Sequence, residues 1–490
     1  MEGIAGTYGH EDCALVGRML RKLRHRGPGR KRIHADDGLV LGARAAVTDS
    51  AVRNTPMAER DGVVVASDSY IFNRQALRTA FAPEASAAAS DAELLLGMYE
   101  DLGTDMFGYI DGAYAVAIAD GRKTVLARDR YGIKPLYLSG GVRRGTFSSE
   151  MKSQLLAKQD FIPFPPGKVM VKGKGVTPVR QKTTYVARVA GDAGAKALRS
   201  TLMGATQAAL EDGDRANILL SGGVDSSAIA AAASCLTDDI DTVCVAYEGG
   251  TDADMARKVS EELGTDHRER EYEEDEMLDL LDEVVYSAET FDYPLVRSCI
   301  PNYIATHSFP DRDRITLCGE GGDEVFAGYD YMREIADDGR LRRERKLLLR
   351  AGHLTGFHRV DRMTSSASLD GRMPIMSRSV VDLGLGMSRS AILGSDISES
   401  KLALRKAFAD MLPDEVVTRE KKRFSDGAGS LTALVRRAES LISDAEFDRE
   451  RTALPGDRIR TKEELLYYRT FAKHFDSPSA TRAVGFTPRP

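Results

Sequence analysis

The stretch that decides the fold lies near the middle of the chain and reads Ile218-Leu219-Leu220-Ser221-Gly222-Gly223-Val224-Asp225-Ser226-Ser227. Its first three residues form a short apolar run that predicts a buried strand. The two glycines allow a tight turn and a close approach of the backbone to a ligand. The alanine-rich run 228–233 then predicts a helix. This order predicts an anion site, because the N–H groups and dipole of a helix N-terminus favour negative charge.

The side chains of this turn indicate phosphate and a divalent cation. The hydroxyls of Ser221, Ser226 and Ser227 can donate hydrogen bonds to phosphate oxygens. The carboxylate of Asp225 would repel those oxygens, so we expect Mg²⁺ between the two. The turn lacks the Gly-Lys-Ser/Thr of a Walker A loop. It resembles the SGGxDSS loop of N-type ATP pyrophosphatases, which implies that ATP is bound, a substrate is adenylated and pyrophosphate (PPi) is released.

Length and composition predict a globular protein with two domains. The chain has 490 residues, too many for one core, with 42% hydrophobic and 29% charged residues. A net charge of −6 gives no support for nucleic-acid binding, and no apolar stretch is long enough to cross a membrane. The N-terminus does not resemble a signal peptide. Five scattered cysteines without a CxxC pair predict reduced thiols and a cytoplasmic location.

The first 185 residues alternate short strands with helices. We predict strands at 63–66, 113–118 and 123–127, and helices at 13–24, 74–80 and 91–102. Ser90 precedes the third helix and predicts a capped start. This mixture of strands and helices is typical of a layered domain rich in sheet.

Six motifs in this part follow the order of a known domain. They are Gly3-Ile4-Ala5-Gly6, His25-Arg26-Gly27-Pro28, Ser90-Asp91-Ala92-Glu93, Asp111-Gly112-Ala113-Tyr114-Ala115, the run 128–137 and Ser148-Ser149-Glu150-Met151-Lys152. Residues 1–188 therefore resemble the class II glutamine amidotransferase domain of asparagine synthetase. The resemblance implies an α/β/β/α sandwich of the N-terminal-nucleophile (Ntn) hydrolase type.

The residues that would hydrolyse glutamine depart from the family pattern. The family begins Met-Cys-Gly-Ile and uses the cysteine as nucleophile, whereas this chain has Glu2. Asp68-Ser69 replaces the Asn-Gly of the oxyanion hole, and a carboxylate there would repel the developing charge. Arg44, the clamp for the glutamine carboxylate, and Asp91 are retained. We expect a glutaminase fold without glutaminase activity; the open alternative is a divergent hydrolase with another nucleophile.

The rest of the chain has the pattern of a parallel α/β sheet. The stretch 186–195 is rich in small residues and predicts a linker, with breaks at Gly191 and Gly194. Predicted strands at 217–220, 242–247 and 314–318 alternate with predicted helices at 196–210, 227–235 and 252–263. Such an alternation places ligands at the carboxyl ends of the strands. The last residues, 478–490, predict a flexible end.

Two further loops at strand ends resemble the synthetase domain of the same family. Residues 245–252 match its segment beside the adenine, and 318–329 match its Ser-Gly-Glu-Gly-Ser-Asp-Glu-Val-Phe-Gly-Gly-Tyr loop. Matches continue through 357–364, 369–374 and 419–427. Residues 195–475 thus resemble the ATP-pyrophosphatase domain of asparagine synthetase, an adenine nucleotide α-hydrolase-like parallel-sheet domain with a helical C-terminal part.

This resemblance implies roles for individual residues. Asp225 and Asp323 would hold Mg²⁺, Glu320 would accept a proton from the attacking amine, and Lys421 would stabilise the adenylate. Contacts to PPi are implied for Ser221, Gly222, Gly223, Ser226 and Ser227, and contacts to the nucleotide for Leu219, Val245, Cys318 and Gly319.

Three functions remain open. The first is adenylation of aspartate and formation of asparagine with ammonia from solution, with ATP and Mg²⁺ as cofactors. The second is amide formation on another carboxylic acid, as in β-lactam synthetase, a relative whose N-terminal domain has also lost its nucleophile. The third is a non-catalytic regulatory protein, against which the intact glycine loop argues. The expected partners are a small carboxylate, a small amine and a second copy of the chain in a homodimer.

Overall fold

A computed structural model describes residues 2–36, 38–46, 55–81, 90–121, 123–181, 191–210, 215–247, 252–394, 400–419, 431–454 and 458–487. The strands of these residues form two antiparallel sheets before residue 179 and one parallel sheet after residue 215. Within these ranges no helix combines the length and apolar character that a membrane span requires.

The first part of the chain contains two six-stranded antiparallel sheets, with the orders β10-β8-β9-β1-β3-β2 and β12-β11-β7-β6-β5-β4. Their strands are β1 (Gly3–Tyr8), β2 (Lys31–Asp36), β3 (Leu39–Arg44), β4 (Met57–Arg60), β5 (Val63–Ile71), β6 (Gly112–Asp120), β7 (Lys123–Arg128), β8 (Tyr137–Gly140), β9 (Gly145–Ser148), β10 (Phe161–Pro163), β11 (Lys168–Val171) and β12 (Gly175–Pro178). The helices of this part are α1 (Cys13–Lys22), α2 (Arg74–Phe81), α3 (Asp91–Leu102) and α4 (Met151–Gln154).

Alternating side chains arrange these elements in four layers. On β5, Val64 and Ala66 pack into the core between the two sheets, whereas Val65 packs on the other face with Leu95 of α3. Helix α1 covers the outer face of the first sheet, where Leu20 is buried. Because strand residues alternate between faces, each sheet can bury both sides. The predicted α/β/β/α sandwich is confirmed.

The parallel sheet has the order β15-β14-β13-β16-β17. Its strands are β13 (Ala216–Leu219), β14 (Ile240–Tyr247), β15 (Asp266–Tyr272), β16 (Ile315–Leu317) and β17 (Asp370–Arg372). From β13 the chain builds outward to β14 and β15 on one side, and later to β16 and β17 on the other. The strand order therefore reverses between β13 and β16, which is where parallel sheets bind ligands.

Helices cover both faces of this sheet. They are α5 (Gly191–Leu210), α6 (Val224–Ser234), α7 (Asp252–Leu263), α8 (Glu274–Asp279), α9 (Leu281–Ala288), α10 (Tyr293–His307), α11 (Gly322–Phe326), α12 (Asp338–Ala351), α13 (Gly356–Ser366), α14 (Arg378–Gly386), α15 (Arg389–Ile392), α16 (Leu402–Ala407), α17 (Asp414–Thr418), α18 (Leu431–Leu441), α19 (Asp444–Glu450), α20 (Lys462–His474) and α21 (Pro478–Ala483). Ile218 packs with α5 and α6 on one face, and Val243 packs with α9 and α10 on the other.

Two sequence predictions are wrong. Helix α5 begins at Gly191 and continues through Gly194, so neither glycine breaks it. Leu198 and Leu202 of α5 are fully buried, and this burial outweighs the cost of about 1 kcal/mol that Gly194 imposes on the helix. The predicted flexible end contains helix α21, and Thr487 beyond it donates a 2.5 Å hydrogen bond to Asp292.

Candidate active site

The glycine turn between β13 and α6 lies at the point where the strand order reverses. Gly222 has φ +67°, and a Cβ added there would lie 2.5 Å from Cβ of Met255 and 2.7 Å from the backbone nitrogen of Ala256. Both the backbone conformation and the contact with α7 therefore require glycine. Gly319, which follows β16, would place a Cβ 2.6 Å from the backbone nitrogen of Ser226. The two loops are thus in direct contact.

Helix α6 begins at Val224, three residues before the predicted start. Gly223 is extended at the N-cap and no side chain caps the helix, an arrangement typical of helix N-termini that bind anions. Oγ of Ser226 accepts from the backbone nitrogen of Ser221 at 3.2 Å and donates to the carbonyl of Gly223 at 3.1 Å. These bonds hold the turn closed. Asp225 consequently lies in the first helical turn, beside the predicted phosphate position.

The two carboxylates predicted to share Mg²⁺ meet at a lysine that the sequence analysis missed. Nζ of Lys401 contacts the carboxylate of Asp225 and lies 2.7 Å from Oδ1 of Asp323. Gly322 allows this approach, because a Cβ there would collide with the carboxylate of Asp225. Burial alone would lower the pKa of Lys401, but the two carboxylates raise it well above its usual value. Lys401 is therefore positively charged.

The loop after β16 carries further acidic groups. Burial, together with the charges of Asp323 and Glu320, raises the pKa of Glu324 to about 7. Glu324 accepts a 2.6 Å hydrogen bond from the hydroxyl of Tyr329, which fixes its position. Glu320 accepts a 2.6 Å hydrogen bond from Arg359 of α13, so the predicted proton acceptor is ion-paired.

The residues predicted to line the nucleotide lie along the same sheet edge. Leu219 ends β13, and its partner across the sheet is Val243, two residues before Val245. Cys318 follows β16 and donates its backbone N–H to the carbonyl of Arg372 at 2.9 Å. Burial raises the pKa of the Cys318 thiol far above its usual value, so this group stays neutral. The structure thus brings these three predicted residues to the edge that holds the glycine turn.

Lys421 lies outside the described residues, as do residues 248–251 of the predicted adenine segment. The chain before Lys421 is anchored close to the glycine turn. Arg419 donates to the carbonyl of Gly222 at 3.3 Å, and Arg405 donates to the carbonyl of Arg419 at 2.7 Å. The role assigned to Lys421 stays a prediction.

Paired charges occupy the position where the amidotransferase pattern has its oxyanion hole. Asp68 is fully buried in β5 and accepts a 2.8 Å hydrogen bond from Arg26, while Nζ of Lys134 lies 2.9 Å away. The negative charge at the expected oxyanion position is therefore balanced by two cations. Glu2, at the nucleophile position, is buried directly before β1.

Protein groups also bind both retained residues of this site. The guanidinium of Arg44 donates to the backbone carbonyls of Gly27, Pro28 and Gly29, the last at 2.9 Å. Asp91 accepts a 3.1 Å hydrogen bond from Ser69 and lies 3.1 Å from Nε of Arg74. The contacts of Arg44 thus brace the turn of the His-Arg-Gly-Pro motif.

A buried charge cluster joins the sandwich to the parallel-sheet domain. Arg26 binds both oxygens of Asp361 at 2.8 Å and Oε1 of Glu150 at 3.0 Å. Arg362, next to Asp361 on α13, contacts Glu150 and Glu289 at 2.8 Å each. We call Arg26, Glu150, Glu289, Asp361 and Arg362 the interdomain charge cluster. Their side chains are at most 3% exposed. Removing one partner of such a pair costs about 3–5 kcal/mol.

Comparisons with known proteins agree with this architecture. The family model described as "Asparagine synthase" matches residues 197–351 and 333–487, and that described as "Glutamine amidotransferase domain" matches residues 1–165. Fold, site and these matches define an ATP-dependent amide ligase, a carbon–nitrogen ligase that forms AMP. The chain belongs to the asparagine synthase family.

Curated relatives match over nearly the whole chain. Asparagine synthetase [glutamine-hydrolyzing] 2 of Oryza sativa subsp. japonica is 29% identical, with 98% of this chain and 87% of the relative covered. Asparagine synthetase [glutamine-hydrolyzing] 3 of Arabidopsis thaliana is 28% identical, with 99% and 89% covered. Asparagine synthetase B [glutamine-hydrolyzing] of Escherichia coli (strain K12) is 28% identical, with 95% and 89% covered.

Neutralising Glu2 should stabilise the protein at alkaline pH. Burial, with a further contribution from the charges of Asp68 and Asp370, raises the pKa of Glu2 from 4.5 to about 7. The folded state therefore binds this proton more tightly than the unfolded state, and ionisation of Glu2 destabilises the fold increasingly as pH rises from about 4.5 to 7. We expect Glu2→Gln to raise the free energy of unfolding by at most ~3 kcal/mol at pH 8 and by much less at pH 5.

Thermal unfolding at both pH values measures this difference. Glu262→Gln, at an exposed position of α7, is the matched control and should show no such pH dependence. An equal effect of Glu2→Gln at pH 5 and pH 8 would contradict the interpretation.

Proposed function

We propose that this protein adenylates a small carboxylic acid with ATP, releases PPi and transfers the acyl group to an amine from solution. Aspartate and ammonia, giving asparagine, are the first choice. The observation that carries the proposal is the uncapped N-terminus of α6 beside Asp225 and Asp323, at the reversal point of a parallel sheet. The N–H groups of this N-terminus can bind phosphate, and the carboxylates of the two aspartates can bind a divalent cation.

The residues present fit a bound Mg²⁺. Asp225 and Asp323 contact one and the same cationic nitrogen atom, so their carboxylates already converge on one point. Mg²⁺ is typically held by one or two carboxylates together with phosphate oxygens and water. When bound, the ion would neutralise charge on the phosphates. The chain's own part is to align the phosphates along the N-terminus of α6.

The proposed reaction has two steps. A carboxylate oxygen of the acid attacks the α-phosphorus of ATP, the bond from that phosphorus to the bridging oxygen breaks, and PPi leaves with the electron pair. The neutral amine then attacks the acyl carbon, AMP leaves, and Glu320 accepts the proton that the amine loses. Arg359 would hold Glu320 towards this position, since the two side chains are ion-paired.

The amine is proposed to come from solution because the residues at the expected glutamine site do not match those that hydrolyse glutamine. Glu2 replaces the cysteine nucleophile of the family pattern, and Asp68 forms ion pairs with Arg26 and Lys134. A buried, ion-paired carboxylate at the oxyanion position does not stabilise a developing negative charge. The second candidate, amide formation on a different acid, rests on the same loss of the nucleophile, which is shared with β-lactam synthetase.

The proposal also covers the cellular location of the protein and its partners. We propose a cytoplasmic location, supported by five free cysteines at positions 13, 235, 244, 299 and 318. The proposed partners are the two small-molecule substrates, and a homodimer is the assembly to test by light scattering.

Turnover should split ATP into AMP and PPi. Asp225→Asn or Asp323→Asn should lower the rate about 100-fold, because metal and phosphate charge would no longer be balanced. Asp410→Asn, at an exposed acid paired with Arg199, is the control and should keep the wild-type rate. Nucleotide products are separated by chromatography after incubation with a panel of carboxylic acids. Formation of ADP would refute the assignment.

Glutamine should not be hydrolysed. Purified protein with glutamine is expected to form glutamate no faster than buffer does, because both the nucleophile and the oxyanion donors are replaced. Glu2→Cys alone should not create activity, since Asp68 would remain. An enzyme-coupled glutamate assay makes the measurement, and a turnover typical of amidotransferases would contradict it.

With aspartate, activity should depend on neutral ammonia. Only NH₃ attacks the adenylate, so at a fixed total of ammonium chloride the rate should rise roughly tenfold per pH unit near neutrality. AMP formation is followed from neutral to mildly alkaline pH, and mass spectrometry identifies asparagine. If aspartate fails and another acid supports amine-dependent AMP release, the second candidate replaces the first. If no acid does so, the protein is regulatory.

A further inference from the structure

We propose that Lys401 is a positioning residue whose ammonium group takes the place of the metal ion between Asp225 and Asp323 until nucleotide binds. The ammonium and Mg²⁺ would then compete for one position, and the metal would bind tightly only together with phosphates. This inference rests on the proposed function, because it concerns the same metal and the same two carboxylates.

The contacts of Lys401 place its charge between the two acids. Its Nζ contacts Asp225 and lies 2.7 Å from Asp323, and the lysine is 4% exposed. Asp225 comes from α6 and Asp323 from α11, so one nitrogen atom joins both loops of the site. A cation at this point prevents the two facing carboxylates from repelling each other.

The backbone holds Lys401 in an unusual conformation. Its φ of +61° is left-handed, which costs an L-residue about 1–2 kcal/mol and is found mainly where surrounding structure imposes it. Nε of Arg405 donates to the carbonyl of Ser400 at 2.8 Å, and Ser400 forms a β-bridge with Leu393. The side chain runs against Gly328, where an added Cβ would collide with Cε of Lys401. The ammonium is thus delivered to a fixed place.

The chemistry of lysine is compatible with an exchange between its ammonium group and Mg²⁺. Its ammonium is a compact charge with three donors on a flexible stem, so it can replace an ion and later turn to a phosphate oxygen. Glu320 and Glu324 belong to the same loop as Asp323, and Arg359 is engaged with Glu320. When Mg²⁺ arrives with the phosphates of ATP, the two carboxylates exchange one cation for the other and Lys401 gains the phosphates as partners.

The test measures metal binding without turnover. Mn²⁺ is titrated into the protein, and free Mn²⁺ is followed by electron paramagnetic resonance. Lys401→Met keeps the length of the side chain and removes its charge, so it should bind Mn²⁺ at least tenfold more tightly than the wild type in the absence of nucleotide. Lys258→Met, at a lysine 43% exposed and paired with Glu415, is the control and should match the wild type.

A second measurement needs no substitution. In the wild type, PPi should raise the affinity for Mn²⁺ at least tenfold, because the phosphates take up the displaced ammonium. In Lys401→Met the gain in affinity should be smaller than in the wild type, because only the direct contact between metal and phosphate remains. If Lys401→Met does not fold, Mn²⁺ binding by Lys401→Gln and the effect of PPi on Mn²⁺ binding by the wild type test the same inference.

The outcomes separate this inference from the proposed function. Equal Mn²⁺ affinity of wild type and Lys401→Met, in a protein that forms AMP, overturns the role of Lys401 alone. Tighter Mn²⁺ binding by the variant, in a protein that forms no AMP with any acid, supports the inference and refutes the proposed function. If Mn²⁺ binds to neither protein even with PPi, both are wrong.

Discussion

The buried guanidinium of Arg26 is the interaction on which the assembly of the two domains depends. It binds carboxylates from three separate elements: Asp68 of β5, Glu150 before α4 and Asp361 of α13. A charge without access to water is tolerated only when it is fully paired. The position of the sandwich on the parallel-sheet domain is therefore fixed by directional contacts as well as by apolar packing.

The position of Asp68 shows how the sandwich accommodates a buried carboxylate. Where the amidotransferase pattern that the sequence resembles has Asn-Gly, this chain has Asp68-Ser69, and Lys134 and Arg26 pair with Asp68. These ion pairs make Asp68 part of the salt-bridged interior of the sandwich.

Short motifs in the sequence were sufficient to predict several elements of the fold. Ser90 and Glu93 form both bonds of a capping box, and the helix begins and ends where the sequence predicted. The glycine turn was also predictable, because strand, turn and helix are adjacent in the chain. Lys401 was not, since it lies 176 residues from Asp225 and no nearby motif indicates the contact. The start of helix α5 at Gly191 was missed because glycine is a poor helix former. The burial of Leu198 and Leu202, which stabilises this helix, is visible only in the fold.

Helix α13 connects the candidate active site with the interdomain charge cluster. Arg359 holds Glu320 at the candidate active site, and two residues later Asp361 accepts two hydrogen bonds from Arg26. A rigid helical turn thus links the ligase centre to the sandwich. If residues 1–181 were absent, Asp361 would lose Arg26 and Arg362 would lose Glu150, while the pair of Arg362 and Glu289 would remain. The sandwich therefore supports the helix that carries Arg359, and this structural role gives the chain a physical reason to keep the domain that is independent of glutamine hydrolysis.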